Sequence, residues 1–208
     1  MLLDLDIFAC GASVSLVTAP VVSGLSLADA KLHCKVDTSV DDSLFVTLID
    51  AATQYCEAST RRKLPTQTWD YKRPAFPCGS EPIVLPFPPV ASVTSVSYVD
   101  SDGATQTWTA GSTGYTTDLP AGPNADYARV YPSYGVSYPS ARTQRNAVTV
   151  RFVCGYGNAS AIPPSITAAM LKLVEHWYMH RGVVTEAAYT QNVNIPAGVD
   201  ALLEPFRA

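Results

Sequence analysis

The chain has 208 residues, is 47% hydrophobic and carries a formal net charge of −4 at pH 7. This length fits one compact domain or a small domain with a large insertion, and no apolar run approaches the ~20 residues of a membrane span. The lack of a basic excess argues against a nucleic-acid-binding protein, and five scattered cysteines without a C-x-x-C pair argue against a disulfide framework or a zinc ribbon.

The N-terminal part of the chain is predicted to be an extension or edge strand, followed by two helices. Asp4 and Asp6 stand where a signal peptide carries Lys or Arg. Ser26 followed by Asp29 resembles a capping box and starts a short helix that ends near Lys35. A second helix runs from Asp41-Asp42 to Arg61-Arg62-Lys63. Its apolar residues recur every three or four positions: Leu44, Phe45, Leu48, Ile49, Ala52, Tyr55 and Cys56.

The segment 66–157 has the pattern of short strands separated by Pro and Gly. Val96 and Tyr98 alternate with serines, "DSDG" (Asp100–Gly103) offers a turn, and "TQTWT" returns as a partner strand. In "AVTVRFVCGYG", apolar residues at alternate positions from Val148 to Cys154 predict a strand with one buried face. Val130–Arg142, "VYPSYGVSYPSAR", is predicted to be an irregular loop.

A third helix is predicted to begin at Pro163-Pro164-Ser165 and to end at Gly182. After a polar segment, "PAGVDALLEPFR" (Pro196–Arg207) forms a short amphipathic helix. The predicted fold class is therefore α+β: a small helical base, with two N-terminal helices and a long C-terminal helix, carries an inserted antiparallel β region and an extended tail. The predicted divisions are an N-terminal extension (1–24), the first part of the base (25–64), the β-rich insertion (65–160), the second part of the base (161–184) and a C-terminal docking tail (185–208).

Two histidines four residues apart, His176 and His180, are the strongest candidates for a metal site. A pair at this spacing can bind zinc, and His33 with Cys34 would complete the ligand set. The H-E-x-x-H order is absent, because Glu175 precedes His176 and falls off the side of the pair. Histidines that cap the helix or tune an interface are the favoured interpretation, so we expect no metal. A metal enzyme using these residues is kept as an alternative.

No other motif predicts catalysis. Asp100 and Asp102 occupy a hairpin turn, without the further oxygen ligands of a calcium loop. Gly155–Gly157 is too short to cradle a phosphate, and no serine stands in a G-x-S-x-G motif. We therefore expect a protein that is not an enzyme and has no cofactor.

Tyrosines and an arginine in the irregular loop predict a binding surface. Tyr134, Tyr138 and Arg142 are residue types that are enriched at the centres of protein interfaces. The alternative is a carbohydrate- or surface-binding β module, in which the tyrosine rings would stack on sugars.

The ordered set of these segments resembles one family: the head–tail connector (head completion, adaptor) proteins of tailed bacteriophages and prophages. The matching pieces cover nearly everything after residue 24. They are, in order, Leu25–Leu64, "QTWDY" (Gln67–Tyr71), Leu85–Trp108, "PSYGVSYPSAR" (Pro132–Arg142), "VTVRFVCGYG" (Val148–Gly157), "IPPSITAAMLKLVEHWYMHR" (Ile162–Arg181) and "PAGVDALLEPFR" (Pro196–Arg207).

The resemblance implies a structural virion protein, made in the cytoplasm of the bacterial host and placed at the head–tail junction. Such a protein forms a ring, usually a dodecamer, under the portal protein. It extends the DNA channel and offers an attachment surface to tail or tail-completion proteins. DNA passes through without sequence-specific binding, and no membrane is involved.

Within this family assignment, the C-terminal tail is predicted to dock on the portal or on a neighbouring subunit. Its apolar face would be exposed without a partner. Truncation after about Gln191 is then expected to leave a folded monomer that no longer joins heads. The residues predicted for these contacts are Val199, Leu202, Leu203 and Phe206, together with Tyr134, Tyr138 and Arg142 of the loop.

Overall fold

The computed structural model describes residues 11–180 and 197–208. It contains four α-helices and antiparallel sheets in this part of the chain, which confirms the α+β fold class. The elements are β1 (Ser13–Thr18), α1 (Leu27–Cys34), α2 (Asp42–Thr60), β2 (Gln67–Arg73), β3 (Ile83–Val84), β4 (Val90–Val99), β5 (Thr105–Trp108), β6 (Tyr115–Asp118), β7 (Arg129–Pro132), β8 (Val148–Cys154), α3 (Pro164–Met179) and α4 (Ala197–Leu203). Short 3-10 helices occupy Ala159–Ala161 and Glu204–Phe206.

The chain divides into two compact units. A β unit combines Met1–Pro20 with Thr66–Tyr156, and a helical unit combines Val21–Pro65 with Gly157–Ala208. Along the chain, the larger part of the β unit thus falls between the two halves of the helical unit.

A five-stranded antiparallel sheet in the order β1-β2-β8-β4-β5 forms the main layer of the β unit. The central strand β8 pairs with β2 without a break from Gln67↔Cys154 to Arg73↔Val148. Its buried residues are those at alternate positions, namely Val148, Val150, Phe152 and Cys154. The predicted alternation of β8 is therefore confirmed, because successive side chains of a strand point to opposite faces.

The predicted hairpin is also confirmed, since β4 and β5 pair across the turn Asp100–Gly103. A second, three-stranded sheet in the order β3-β7-β6 completes the unit. Strand β7 includes Val130, so the prediction of an irregular loop over Val130–Arg142 is wrong at its start. Pro132, the last residue of β7, argued against a strand at this position, because proline has no N–H to donate to a neighbouring strand.

In the helical unit, the start of α1 is as predicted. Ser26 is the N-cap, and its hydroxyl accepts a hydrogen bond from the Asp29 N–H at 3.0 Å. Lys35 closes the helix with a φ of 55°, and its N–H donates to the Leu32 carbonyl.

Helices α2 and α3 pack against each other through their apolar stripes. Phe45 stacks on Tyr178 with ring centroids 4.5 Å apart, and the Tyr178 hydroxyl donates to Asp41 at 2.8 Å. Helix α3 ends at Met179, earlier than predicted, with His180 as its C-cap. The predicted stop at Gly182 lies outside the described residues. The buried residues of the two helices are Phe45, Ile49, Ala52 and Cys56 on α2, and Ile166, Ala169, Met170, Leu173 and Val174 on α3.

Candidate functional site

The C-terminal helix α4 is closed into the helical unit instead of presenting an open apolar face. Val199 and Leu203 are fully buried, Phe206 is 7% exposed, and Leu202 is half-buried. The exposed face that we predicted for these residues is therefore wrong for three of the four. The amphipathic pattern correctly required a partner, and within the chain that partner is supplied by α3 and α2.

Polar contacts fix the end of the chain next to the end of α2. The buried Arg62 donates from Nε to the Phe206 carbonyl at 2.6 Å, and the Ala208 N–H donates to the Thr60 carbonyl at 3.1 Å. This second bond satisfies one of the carbonyls that every helix leaves unpaired in its last turn. The C-terminal residues are thus part of the folded unit.

The outer side of the same segment is polar. Arg207 contacts Glu204 at 2.7 Å and Asp200 at 3.4 Å, and all three side chains are about half exposed or more. Exposed ion pairs of this kind contribute little to stability, about 0–1 kcal/mol each. They do give the tail a defined charged surface for contact with another molecule.

The structure separates the two tyrosines that we grouped. Tyr138 stacks on Phe76 with centroids 5.0 Å apart and lies 5.3 Å from Trp108, while its hydroxyl donates to the Glu81 carbonyl at 2.6 Å. Burial raises the pKa of Tyr138 to about 12. Tyr138 is therefore partly buried against the core of the β unit, with its ring already engaged by Phe76 and Trp108.

Tyr134, in contrast, is fully exposed at 105%. It stands in a β-turn in which the Val136 N–H donates to the Ser133 carbonyl at 2.9 Å. Arg142 is also exposed, and its backbone N–H donates to the Val99 carbonyl at 2.8 Å. Of the predicted loop residues, Tyr134 and Arg142 are available to a partner.

The histidines do not converge on a metal site. His33 Nε2 lies 3.1 Å from Glu175 Oε2, and the His180 ring lies 2.9 Å from the His176 carbonyl. Burial raises the pKa of the Cys34 thiol, the fourth candidate ligand, and so disfavours its thiolate. In residues 11–180 and 197–208, no three His, Cys, Asp or Glu side chains come together as metal ligands do.

Asp100 is a turn residue. Its Oδ1 accepts hydrogen bonds from the backbone N–H groups of Asp102 and Ala104 at 3.0 and 2.9 Å, and its Oδ2 accepts from Gln106 at 2.8 Å. The hydrogen bond from the Gln106 side chain, followed by those from the backbone, lowers the pKa of Asp100. This carboxylate is used locally to close the β4–β5 hairpin.

Two features of the β unit were missed by reasoning from the sequence. Asp70 on β2 and Arg151 on β8 are directly opposite in the register and form a two-bond ion pair at 2.8 and 2.9 Å. The second feature is an open cavity of ≈ 460 Å³ where β1 begins and β2 ends. The ion pair was detectable only with the register known. The cavity has no local signal, because it joins segments far apart in the chain.

Within the part of the chain that the structure describes, no helix combines the length and the apolar character needed to span a bilayer.

Comparison with known proteins gives a match to a family model over part of the chain and a shared fold over most of it. Residues 25–101 match the family of phage gp6-like head-tail connector proteins. No curated protein matches the chain.

Three chains in solved structures have a similar fold, and each comparison covers 94% of this chain and 95% of the other. One comes from the neck of an empty gene transfer agent particle with C6 symmetry, with 23% identity and a TM-score of 0.72. Another comes from the virion of the native gene transfer agent particle, with 25% identity and a TM-score of 0.70. The third comes from the neck of the native particle with C12 symmetry, with 24% identity and a TM-score of 0.71. The predicted resemblance to head–tail connector proteins is therefore confirmed in sequence over residues 25–101, and the fold is shared over nearly the whole chain with chains from neck and virion structures.

Proposed function

We propose that the protein is a head–tail connector, a structural part of the virion at the junction of head and tail. The observation that carries this proposal is the agreement of fold over 94% of the chain with chains from neck and virion structures of a phage-like particle. The match of residues 25–101 to the connector family supports the same conclusion from the sequence. On this proposal the protein acts by shape and by contact, and it catalyses no reaction.

The subunits assemble into a ring, with twelve copies on the virion. The symmetries of the two similar neck structures, C6 and C12, support a closed ring. A ring needs two different contact surfaces on each subunit, one for each neighbour. The ring docks under the portal protein, continues the DNA channel and receives tail or tail-completion proteins.

The DNA passes through this channel without sequence-specific binding. The chain carries 18 acidic and 14 basic residues, so it has no cationic excess to hold phosphates. Lys and Arg contacts to phosphate dominate the affinity of proteins for DNA. A surface poor in such contacts is compatible with DNA that must slide.

For portal docking, we propose that α4 acts through its outer surface. Val199, Leu203 and Phe206 hold the segment in place from inside the helical unit. The charged surface of Asp200, Glu204 and Arg207, with the half-buried Leu202 beside it, then faces the partner.

Binding to purified portal protein tests this docking surface. Replacing both Glu204 and Arg207 by Ala is expected to weaken binding at least tenfold, which corresponds to about 1.4 kcal/mol. The variant should keep the urea midpoint of the wild type, because the pairs are exposed. Exchanging Asp118 and Arg129, an ion pair of the β unit, for Ala is the matched control. Equal binding by wild type, variant and control would contradict a docking role for α4.

Deletion of the gene in the phage or prophage that encodes the chain tests the connector function itself. We expect DNA-containing heads without tails in electron micrographs, and normal particles once the gene is supplied in trans. Mass spectrometry of purified particles should find the protein in the virion. Normal tailed particles from the deletion strain would refute the proposed function.

A further inference from the structure

Strand β1 is an edge strand of the five-stranded sheet, and among the described strands it pairs with β2 alone. The two strands are antiparallel, with a register that runs from Ser13↔Lys72 to Thr18↔Thr68. They are not joined by a hairpin, because the segment Val21–Pro65 of the helical unit lies between them in the chain. No short connection therefore ties β1 to the β2 of its own chain.

The position beside β2 fits β1 in side chains as well as in backbone. Val14 and Leu16 lie opposite Tyr71 and Trp69 in the register, and Val14 packs against the core of the β unit. A strand at this position also pairs backbone groups that β2 would otherwise leave open along its edge. A β1 strand from an identical subunit would supply the same backbone and side-chain contacts.

The segment that follows β1 runs over the surface of the protein. Residues 16–22 are all exposed, and Val21 is 94% exposed. Among the described residues, no hydrogen bond joins residues 19–22 to the rest of the chain. Pro20 favours an extended conformation of the residue before it. Fully extended, residues 19–23 span about 18 Å, more than the ~10 Å between two packed sheets, so the segment is long enough to cross between adjacent subunits.

We propose that β1 is exchanged in the assembled ring, so that β1 of one subunit pairs with β2 of the next. Each subunit then donates one strand and accepts one, and the contact joins two different surfaces. Such a contact repeats from subunit to subunit until a ring closes. Exchange of an identical element is a low-cost route to assembly, because the pairing within one chain is replaced by the same pairing between chains. This inference rests on the proposed ring and names a contact that holds its subunits together.

Exposed apolar side chains on β1 and on the segment after it support the exchange. Their exposed fractions are 47% for Leu16, 42% for Val17, 94% for Val21 and 46% for Val22. A group of exposed apolar side chains is typical of a surface that contacts another protein. A segment that crosses to the next subunit places these side chains between two subunits, where they lose contact with water.

Cysteines on the two strands test the exchange. Ser13 and Lys72 are directly opposite, and opposite Cα atoms of an antiparallel pair lie about 4.5–5.5 Å apart, which a disulfide can bridge. One full-length chain carries Ser13→Cys and a second carries Lys72→Cys. Both also carry Cys78→Ser and Cys10→Ser, which remove the exposed cysteine and the one outside the described residues. The cysteines that remain are buried, namely Cys34, Cys56 and Cys154.

Rings assembled on the portal from an equal mixture of these two chains are then oxidised. We expect a covalent dimer with one chain of each kind, because only a strand that crosses between subunits brings the two cysteines together. Rings built from either chain alone should give no dimer. Electrophoresis without reducing agent, with a tag on one of the two chains, identifies the product.

A chain that carries both Ser13→Cys and Lys72→Cys gives a second measurement. In dilute free protein, oxidation should form the disulfide within one chain, because β1 there pairs with its own β2. In rings on the portal, the same oxidation should give a ladder of covalent multimers. Ser13→Cys combined with Thr107→Cys, on β5 at the opposite edge of the sheet, is the matched control and should give neither product.

The outcomes separate this inference from the proposed function. If oxidised rings of the double variant contain only monomers and mixed rings contain no dimer, β1 stays with its own subunit. The exchange is then refuted and the connector function stands. If the double variant forms no disulfide even in the free protein, β1 does not pair with β2 in solution, which also refutes the exchange. If the wild type forms no ring with the portal, the proposed function fails together with the inference.

Discussion

The two segments that we predicted to contact partners differ in how they place their apolar side chains. In the helical unit, an amphipathic helix at the end of the chain is buried in the unit's own core, with Leu203 fully buried. In the β unit, the loop 133–142 packs a partly buried Tyr138 against the core but leaves Tyr134 fully exposed only four residues away. A sequence pattern can thus indicate that a side chain needs a packing partner. It does not indicate whether that partner belongs to the same chain or to another.

This difference changes the expected role of the C-terminal segment. Because its apolar residues complete the helical core, truncation after about Gln191 should destabilise the helical unit instead of leaving a folded monomer. Of the two segments, α4 then offers a partner a mainly polar outer surface, and the loop of the β unit offers the exposed ring of Tyr134. The following variants test this contrast, from the largest expected effect to the smallest.

Leu203→Ala should be strongly destabilising. Leu-to-Ala changes in a core typically cost about 2–5 kcal/mol, because they remove contacts and leave a cavity. The neighbouring Leu202→Ala is the matched control, since Leu202 is only half-buried. Urea denaturation followed by circular dichroism gives the free energy of unfolding of each variant. An equal loss for both would contradict the burial of the C-terminal helix.

Within the β unit, Tyr138→Ala should lower the free energy of unfolding far more than Tyr134→Ala. Removing the Tyr138 ring opens a gap beside Phe76 and Trp108 and should cost about 3 kcal/mol. Removing the exposed Tyr134 ring should change the free energy of unfolding by no more than about 0.5 kcal/mol. Thermal unfolding of the two variants measures this, and a reversed order would refute the assignment of the two rings.

Raising the pH into the alkaline range should lower the free energy of unfolding, in part because the Tyr138 phenol loses its proton. Burial raises its pKa to about 12, above the ordinary value of about 10 for tyrosine. The folded state therefore binds the phenol proton more tightly than the unfolded state does. The contribution of this proton to the free energy of unfolding is complete below pH ~10 and is lost as the pH rises through about 12. Tyr138→Phe should show a smaller fall in urea midpoint than the wild type between about pH 9 and about pH 11.5. An equal fall in the two proteins would contradict the burial of this phenol.

Ser26→Ala should have a smaller effect than the substitutions of Leu203 and Tyr138. The substitution removes the hydroxyl that accepts the Asp29 N–H at the start of α1, and loss of an N-cap costs about 1 kcal/mol. Replacing Ser112, an exposed serine outside any helix or strand, by Ala is the control and should be neutral. Differential scanning calorimetry resolves the difference between the two melting temperatures.

Features with a local cause were predictable from the sequence. The cap at Ser26, the turn at Asp100–Gly103 and the alternation along β8 each depend on residues close together in the chain. The family resemblance rested on the order of such segments and is supported by the matches in sequence and fold.

Features that depend on distant segments were not predictable. Asp70 meets Arg151 only through the register of β2 with β8. Strand β7 escaped prediction because it is four residues long and ends in Pro132. Likewise, the burial of Leu203 depends on the packing of α4 against α3 and α2, which are distant from it in the sequence.

Electron microscopy of the purified protein mixed with its portal protein tests the central claim most directly. The account predicts closed rings stacked on one end of the portal, with twelvefold symmetry in averaged images. Mass measurement of the same sample should give twelve copies per portal. A sample in which the protein stays unbound and forms no ring would contradict the account.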